Sequence, residues 1–243
     1  MNPPNVNTHA FQKELDSRIA KHDLLCHPFY QAWTQGRLTR DDLRSYAVQY
    51  FHQVAAFPEY LEMFESRLAA GSPLAEAVAR NRAEEEGADS DDGRAHAELW
   101  LDFVEGMGAE RSALASSEPL PEMQELMDTF QSIAREGSPA EALAAFYAYE
   151  SQVPRIAAEK ARGLKEMYGA DQRTCGYFTV HQTADVYHAQ VWSQQLEKQL
   201  QVAATELQEK AQQEKALDSA ERIAQALWRA LDGIERERMA RAA

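Results

Sequence analysis

The stretch His181-Gln-Thr-Ala-Asp185-Val-Tyr-His188 spaces two imidazoles and a carboxylate at i, i+4 and i+7. On an α-helix, which turns every 3.6 residues, that spacing puts all three on one stripe, about one turn apart. Imidazole with carboxylate is the donor mix for iron, manganese or zinc. The same three residues on a solvated face would hold nothing, so the reading depends on partners elsewhere in the chain. Glu84-Glu85-Glu86 closes one predicted helix, and His96 opens the next after a turn. Glu150 ends the otherwise apolar run Phe146-Tyr-Ala-Tyr-Glu150. A carboxylate facing into such surroundings needs a cation beside it. Three carboxylates and three imidazoles from four helices are the set a dinuclear centre wants. The ferritin-like di-iron plan builds its site from Glu-x-x-His pairs. The chain contains no Glu-x-x-His, so that fold is disfavoured.

The rest of the chain reads as helix. Ala occurs 41 times, against 23 Val, Ile and Thr together, with 11 Gly and 9 Pro among 243 residues. Such a composition nearly excludes a sizeable sheet. Helix starts recur: a capping box at Thr39-Arg-Asp-Asp42, Ser72-Pro73 as cap and first residue, and a second box at Ser138-Pro-Ala-Glu141. Pro58 is expected to kink or restart the helix after Thr39, and Pro154 to interrupt the one after Ser138. The stripe predicts a single helix from His181 to about Leu200. The result is seven or eight helices in one domain spanning 1–243, with a bundle over about 8–200 and a last helix over about 203–232. The last helix carries Ala220, Ile223, Ala224, Leu227 and Leu231 on one face, to pack on the bundle or on the partner of a homodimer.

The formal charge is −14. That disfavours nucleic acid or an anionic membrane as main partner, since both need clustered Lys and Arg. The longest strongly apolar run, Ala142–Tyr149, is far short of the ~20 residues of a membrane span. The start, MNPPNVNTHAFQ, has neither the basic nor the apolar region of a secretory signal. Cys26 and Cys175 form no disulfide framework and read as reduced thiols. A soluble cytoplasmic protein is expected.

Several separated segments together resemble a known family: His27-Pro-Phe-Tyr30-Gln-Ala-Trp33, Ala56-Phe-Pro-Glu-Tyr-Leu61, Asn81-Arg-Ala-Glu-Glu85, His96 with Leu99-Trp100, Tyr149-Glu-Ser-Gln-Val-Pro-Arg-Ile156 with Glu159-Lys160, and the Asp185 helix. Over about Leu25 to Leu200 the chain is similar to the heme-oxygenase-like dimetal oxidases. Within them it resembles the chlamydial protein associating with death domains and its bacterial relatives in folate synthesis. The resemblance implies an all-α, seven-helix heme-oxygenase-like bundle with an additional C-terminal helix. It implies two metal ions, Fe/Fe or Fe/Mn, held by Glu85, His96, Glu150, His181, Asp185 and His188. Dioxygen would be the co-substrate, with a reductant as partner.

The resemblance also implies that such proteins make 4-aminobenzoate for folate by oxidative cleavage of a side chain of their own, which is Tyr30 here. Tyr46 and Tyr149 match two tyrosines near the site, as candidate relays of electrons or radicals. Lys160 matches the lysine implicated as amino donor. Taken alone, Tyr30 would read as part of an aromatic core stripe and Lys160 as a surface lysine. The chain departs from the chlamydial pattern in a longer acidic loop, with Asp89, Asp91 and Asp92, so which of Glu84, Glu85 and Glu86 is the ligand stays open. The region after about Thr205 has no match, and nothing indicates death-domain binding. The alternatives are a multi-turnover oxidase of the same fold acting on an external amino acid, amine or fatty acid, and a non-enzymatic helical interaction protein.

Overall fold

A computed structural model describes residues 6–88 and 93–242, with side chains from residue 9 onward. Asp89, Asp91 and Asp92 of the acidic loop lie outside the described residues. Twelve α-helices follow in order: α1 (Val6–Ala20), α2 (Pro28–Thr34), α3 (Arg40–Glu65), α4 (Pro73–Glu85), α5 (His96–Gly106), α6 (Arg111–Ala115), α7 (Pro121–Glu136), α8 (Pro139–Glu150), α9 (Val153–Met167), α10 (Gly176–His181), α11 (Ala184–Leu200) and α12 (Glu206–Ala242). A single 3₁₀ turn, Leu24–Cys26, precedes α2. Among the described residues there is no strand, and no helix is long and apolar enough to cross a membrane.

Both expected capping boxes form. Thr39 accepts from Asp42 N while the Asp42 carboxylate accepts from Thr39 N, and Ser138 and Glu141 do the same at α8. Ser72 caps α4, with Pro73 at its first position. Three expectations about the elements are corrected. Pro58 does not divide α3, which runs through it for 26 residues. Tyr60, Leu61 and Phe64 beyond the proline are buried like Tyr46 and Val54 before it, so packing outweighs the one lost backbone bond. The single helix expected from His181 breaks at Gln182-Thr183, between α10 and α11. The last helix begins at Glu206 and runs to Ala242, ten residues past the expected end. Short segments such as α2, α6 and α10 raise the helix number above seven, while the bundle stands.

α3 packs on α4, α5 and α7, α8 packs on α11 and α12, and α10 bridges α5 and α9. The apolar face of α12, including Ala220, Ile223, Leu227 and Leu231, is buried against α7 and α8. The core between these layers is aromatic, with Trp33, Trp100, Trp192, Tyr46, Phe103 and Phe146 almost fully buried. Into this apolar interior α4, α5, α8, α10 and α11 bring their polar residues.

Candidate metal centre

All six expected donors are buried: Glu85, His96, Glu150, His181, Asp185 and His188. They form two groups that share Glu85. In one, donor atoms of Glu85, His96 and His181 lie within 4.8 Å of one another. In the other, the same holds for Glu85, Glu150, Asp185 and His188. The break at Gln182-Thr183 explains the division. His181 ends α10 and Asp185 and His188 lie in the first turns of α11, so the stripe read as one site serves two.

Local structure brings Glu85 and His96 together. α4 ends in a left-handed turn in which Gly87 N donates to Glu84 O at 3.0 Å and Ala88 N to Ala83 O at 2.8 Å, the Schellman arrangement. Gly87 has φ +92, and a Cβ there would stand 2.6 Å from the Arg94 carbonyl carbon. Only glycine lets the returning chain pass so close, and His96 follows two residues later. Asp102 on α5 pairs with Arg94 at 2.8 Å and with Arg173 at 2.7 Å. Those contacts tie the segments leading to His96 and His181 to one buried carboxylate.

Of the acidic triplet, Glu85 faces inward, Glu84 meets the His188 Nε2 at 2.5 Å, and Glu86 is exposed beside Arg82. His181 Nδ1 donates to the Tyr177 carbonyl at 2.7 Å, leaving Nε2 for the group. His96 Nδ1 stands 2.8 Å from Glu85 Oε2, and His188 Nδ1 3.4 Å from Asp185 and 3.5 Å from Glu150. Yet His96 Nδ1, His188 Nδ1 and Asp185 Oδ1 are buried with no hydrogen bond. Imidazole nitrogens and carboxylate oxygens that converge at contact distance without forming hydrogen bonds are the arrangement a cation would satisfy. The donor set therefore fits two metal ions. The Trp192 indole N–H and the Asn81 amide hold the Glu150 carboxylate from behind.

The electrostatics agree. Burial opposes ionisation of Glu85, but the neighbouring His96, His181 and His188 rings outweigh it and hold its pKa below the ordinary value. Burial pushes Asp185 up to about 8 and His181, aided by the His96 ring, down to about 3. Burial disfavours charge on His188 as well, yet Glu150, Asp185 and Glu84 prevail and raise its pKa.

Beside the donors lies a second buried assembly. Lys160 Nζ donates to the Tyr30 hydroxyl at 2.7 Å and also to the Tyr46 hydroxyl, and it sits 4.2 Å from the Tyr30 ring centre. The Tyr30 and Tyr46 hydroxyls are 3.0 Å apart. Trp33, Tyr50 and Phe178 complete an aromatic box around the amine. Lys160 is thus a core lysine. Burial takes its pKa well below 10.5 and raises those of Tyr30 and Tyr46 well above 10. Burial thus favours the uncharged form of the amine and of both phenols.

Tyr149 and Tyr177 stand between the two assemblies. Both line the cavity of about 10 Å³ against Glu85, Glu150, His181 and Asp185, and both line the one of about 20 Å³ against Tyr30 and Lys160. Tyr149 is hydrogen-bonded to Tyr50, and Tyr50 stacks on Tyr46 with ring centres 5.3 Å apart. Tyr177 stacks on the His181 ring at 3.9 Å. Tyr50 and Tyr177 were not singled out in the sequence. The usable signal for Tyr177 was its place four residues before His181, on the same helical face.

A helical bundle of the heme-oxygenase-like kind with a buried carboxylate–imidazole set, in two groups joined by one glutamate, is compatible with a metal centre. Residues 44–230 match the iron-containing redox enzymes, and the chain belongs to that family. It is 39% identical over 236 residues to a 4-aminobenzoate synthase of Nitrosomonas europaea, covering 93% of this chain and 92% of that one. It is 34% identical over 226 residues to a 4-aminobenzoate synthase of Chlamydia trachomatis, covering 92% and 91%. Among solved structures, a domain of unknown function with a heme oxygenase-like fold from Shewanella denitrificans superposes with a TM-score of 0.77 at 16% identity, over 97% of this chain and 94% of that one.

Proposed function

We propose that this chain makes 4-aminobenzoate from its own Tyr30, with Lys160 as the amino donor. The observation that carries the reading is the buried contact of the Lys160 amine with the Tyr30 hydroxyl at 2.7 Å. 4-Aminobenzoate is a six-membered ring with nitrogen and a carboxyl group at opposite positions. A tyrosine ring with its Cβ has the same carbon skeleton. The conversion replaces the hydroxyl by the Lys160 nitrogen, cleaves Cα–Cβ, oxidises Cβ to the carboxyl level and breaks Lys160 Cε–Nζ with oxidation of Cε, dioxygen being the oxidant. The amine lies against the hydroxyl that must leave. Burial favours the unprotonated amine, the form whose lone pair can attack carbon.

Two metal ions, Fe/Fe or Fe/Mn, held by Glu85, His96, Glu150, His181, Asp185 and His188, would supply redox chemistry with dioxygen and a reductant. The chain's own residues do the positioning. The aromatic box fixes Lys160 over Tyr30. Tyr46 shares the hydrogen bonds of both. Tyr149 and Tyr177 link the donor cluster to that box, suited to passing an electron and a proton between them. The cavity beside Tyr30, about 20 Å³, has room for about one water. That leaves no space beside Tyr30 for an amino acid or fatty acid substrate.

The test is mass spectrometry of the intact protein and its peptides after loading with iron and manganese, reductant and oxygen. The expected result is one 4-aminobenzoate per chain, with mass changes confined to the Tyr30 peptide, which loses its ring, and the Lys160 peptide, which loses its side-chain nitrogen. Protein carrying ¹⁵N-labelled lysine should release 4-aminobenzoate one mass unit heavier. Tyr30→Phe should release none. Many products per chain, or full activity in Tyr30→Phe, would instead establish an external substrate.

A further inference from the structure

Resting on the dimetal reading, we propose that Glu84 is a positioning residue that sets the tautomer and donor strength of His188, and so controls one of the two metal positions separately from the other. His188 Nε2 lies 2.5 Å from the Glu84 carboxylate. An acceptor there places the ring proton on Nε2 and turns the Nδ1 lone pair to Asp185 and Glu150, at 3.4 and 3.5 Å. That Nδ1 is buried and without a hydrogen bond. The other imidazole whose outer nitrogen has a partner, His181, is oriented differently, through the backbone carbonyl of Tyr177. A carboxylate acceptor raises the basicity of a ligating imidazole more than a neutral carbonyl does, and loss of such a partner typically weakens a metal site 10–100-fold. The two groups are therefore held by unlike supports. In the first group His181 rests on a backbone carbonyl, and in the second His188 rests on a replaceable side chain.

Helix geometry makes the division of labour in the triplet. Successive residues on α4 are turned by about 100°, so Glu85 points between the two groups while Glu84 points to α11. Glu84 also lines a cavity of about 260 Å³ between α4 and α11, with Asn81, Glu76, Tyr187 and His188 around it. Its side chain is 18% exposed, against 2% for His188. The support of the inner imidazole is thus reachable by solvent, and its loss leaves a space that water can enter without disturbing the packed core.

The experiment is an anaerobic titration of metal-free protein with Mn²⁺, with free ion read from its electron paramagnetic resonance signal and the fold from circular dichroism. The parent should bind two equivalents. Glu84→Ala should bind one as tightly as the parent and the second 10–100-fold more weakly. Glu84→Gln, whose amide oxygen still accepts from Nε2, should fall between the two. Glu86→Ala, on the exposed neighbour, should match the parent. Two equivalents bound by Glu84→Ala at parental affinity, or equal weakening of both, would overturn the inference and leave the dimetal reading standing. A parent that binds no metal would overturn both.

Discussion

At the scale of single residues, burial with no carboxylate paired to it among the described residues takes Lys160 well below its usual pKa. Between that value and about 10.4, the unfolded chain binds a proton that the folded chain refuses. Stability contributed at this position therefore rises with pH across the interval and is lowest on its acidic side. Lys160→Met keeps the length of the side chain and removes the ionisable group. At pH 7 the variant should be more stable than the parent by about 1–3 kcal/mol, and the gain should shrink towards zero as pH approaches 10.4. Ionisation of Tyr30 and Tyr46 in the unfolded chain weakens both proteins alike at high pH, so the difference between their urea midpoints at pH 7 and pH 10 isolates Lys160. A constant difference would mean that Lys160 is charged in the fold. None of this was legible in the residue pattern. A lysine one turn from Ile156 and Leu164 on an amphipathic helix has the spacing of a core position but the chemistry of a surface one. Only the resemblance marked it. Glu150 was legible, because a carboxylate among Phe146, Tyr147 and Tyr149 has few ways to be satisfied.

At the scale of elements, the termini of α4, α10 and α11 make the centre. The spacing of His181, Asp185 and His188 was readable and the helix carrying them was not. Gln182 and Thr183 contain no proline or glycine to announce a break. The turn after α4 was announced, by Gly87 after an acidic triplet. Gly87→Ala would force an L residue to φ +92 and set its Cβ 2.6 Å from the Arg94 carbonyl carbon. A cost on the order of 2–4 kcal/mol is expected from strain and overpacking together, read as a lowered denaturation midpoint. Because Arg94 and Ala95 must move, His96 moves with them. The Glu85–His96–His181 position should then lose affinity in a metal titration before the His188 position does. Equal stability of Gly87→Ala and parent would show that the loop to His96 has room to shift.

At the scale of the whole molecule, the −14 charge divides into two populations. Most acidic residues are solvated or paired at the surface, as Glu122 with Arg236 and Glu125 with Arg229 are, and such pairs contribute little. Glu85, Glu150 and Asp185 are instead buried within a few ångströms of one another. Without cations, Asp185 keeps its proton up to about pH 8, and the neighbouring imidazoles offset the charge of Glu85. Metal binding to the folded chain alone adds about 2.7 kcal/mol of stability per ion at a hundredfold excess over its dissociation constant. For a chain of this size each kcal/mol moves the melting temperature by about 2–4 °C. Two ions should therefore raise it by about 10–20 °C over the metal-free protein, and a chelator should reverse the rise. Glu85 is common to both donor groups, so Glu85→Gln should lose most of the increment, whereas His96→Ala should lose about half. A melting temperature indifferent to metal would mean that protons satisfy the buried carboxylates as well as cations do, and equal losses in the two variants would mean that the groups do not share Glu85.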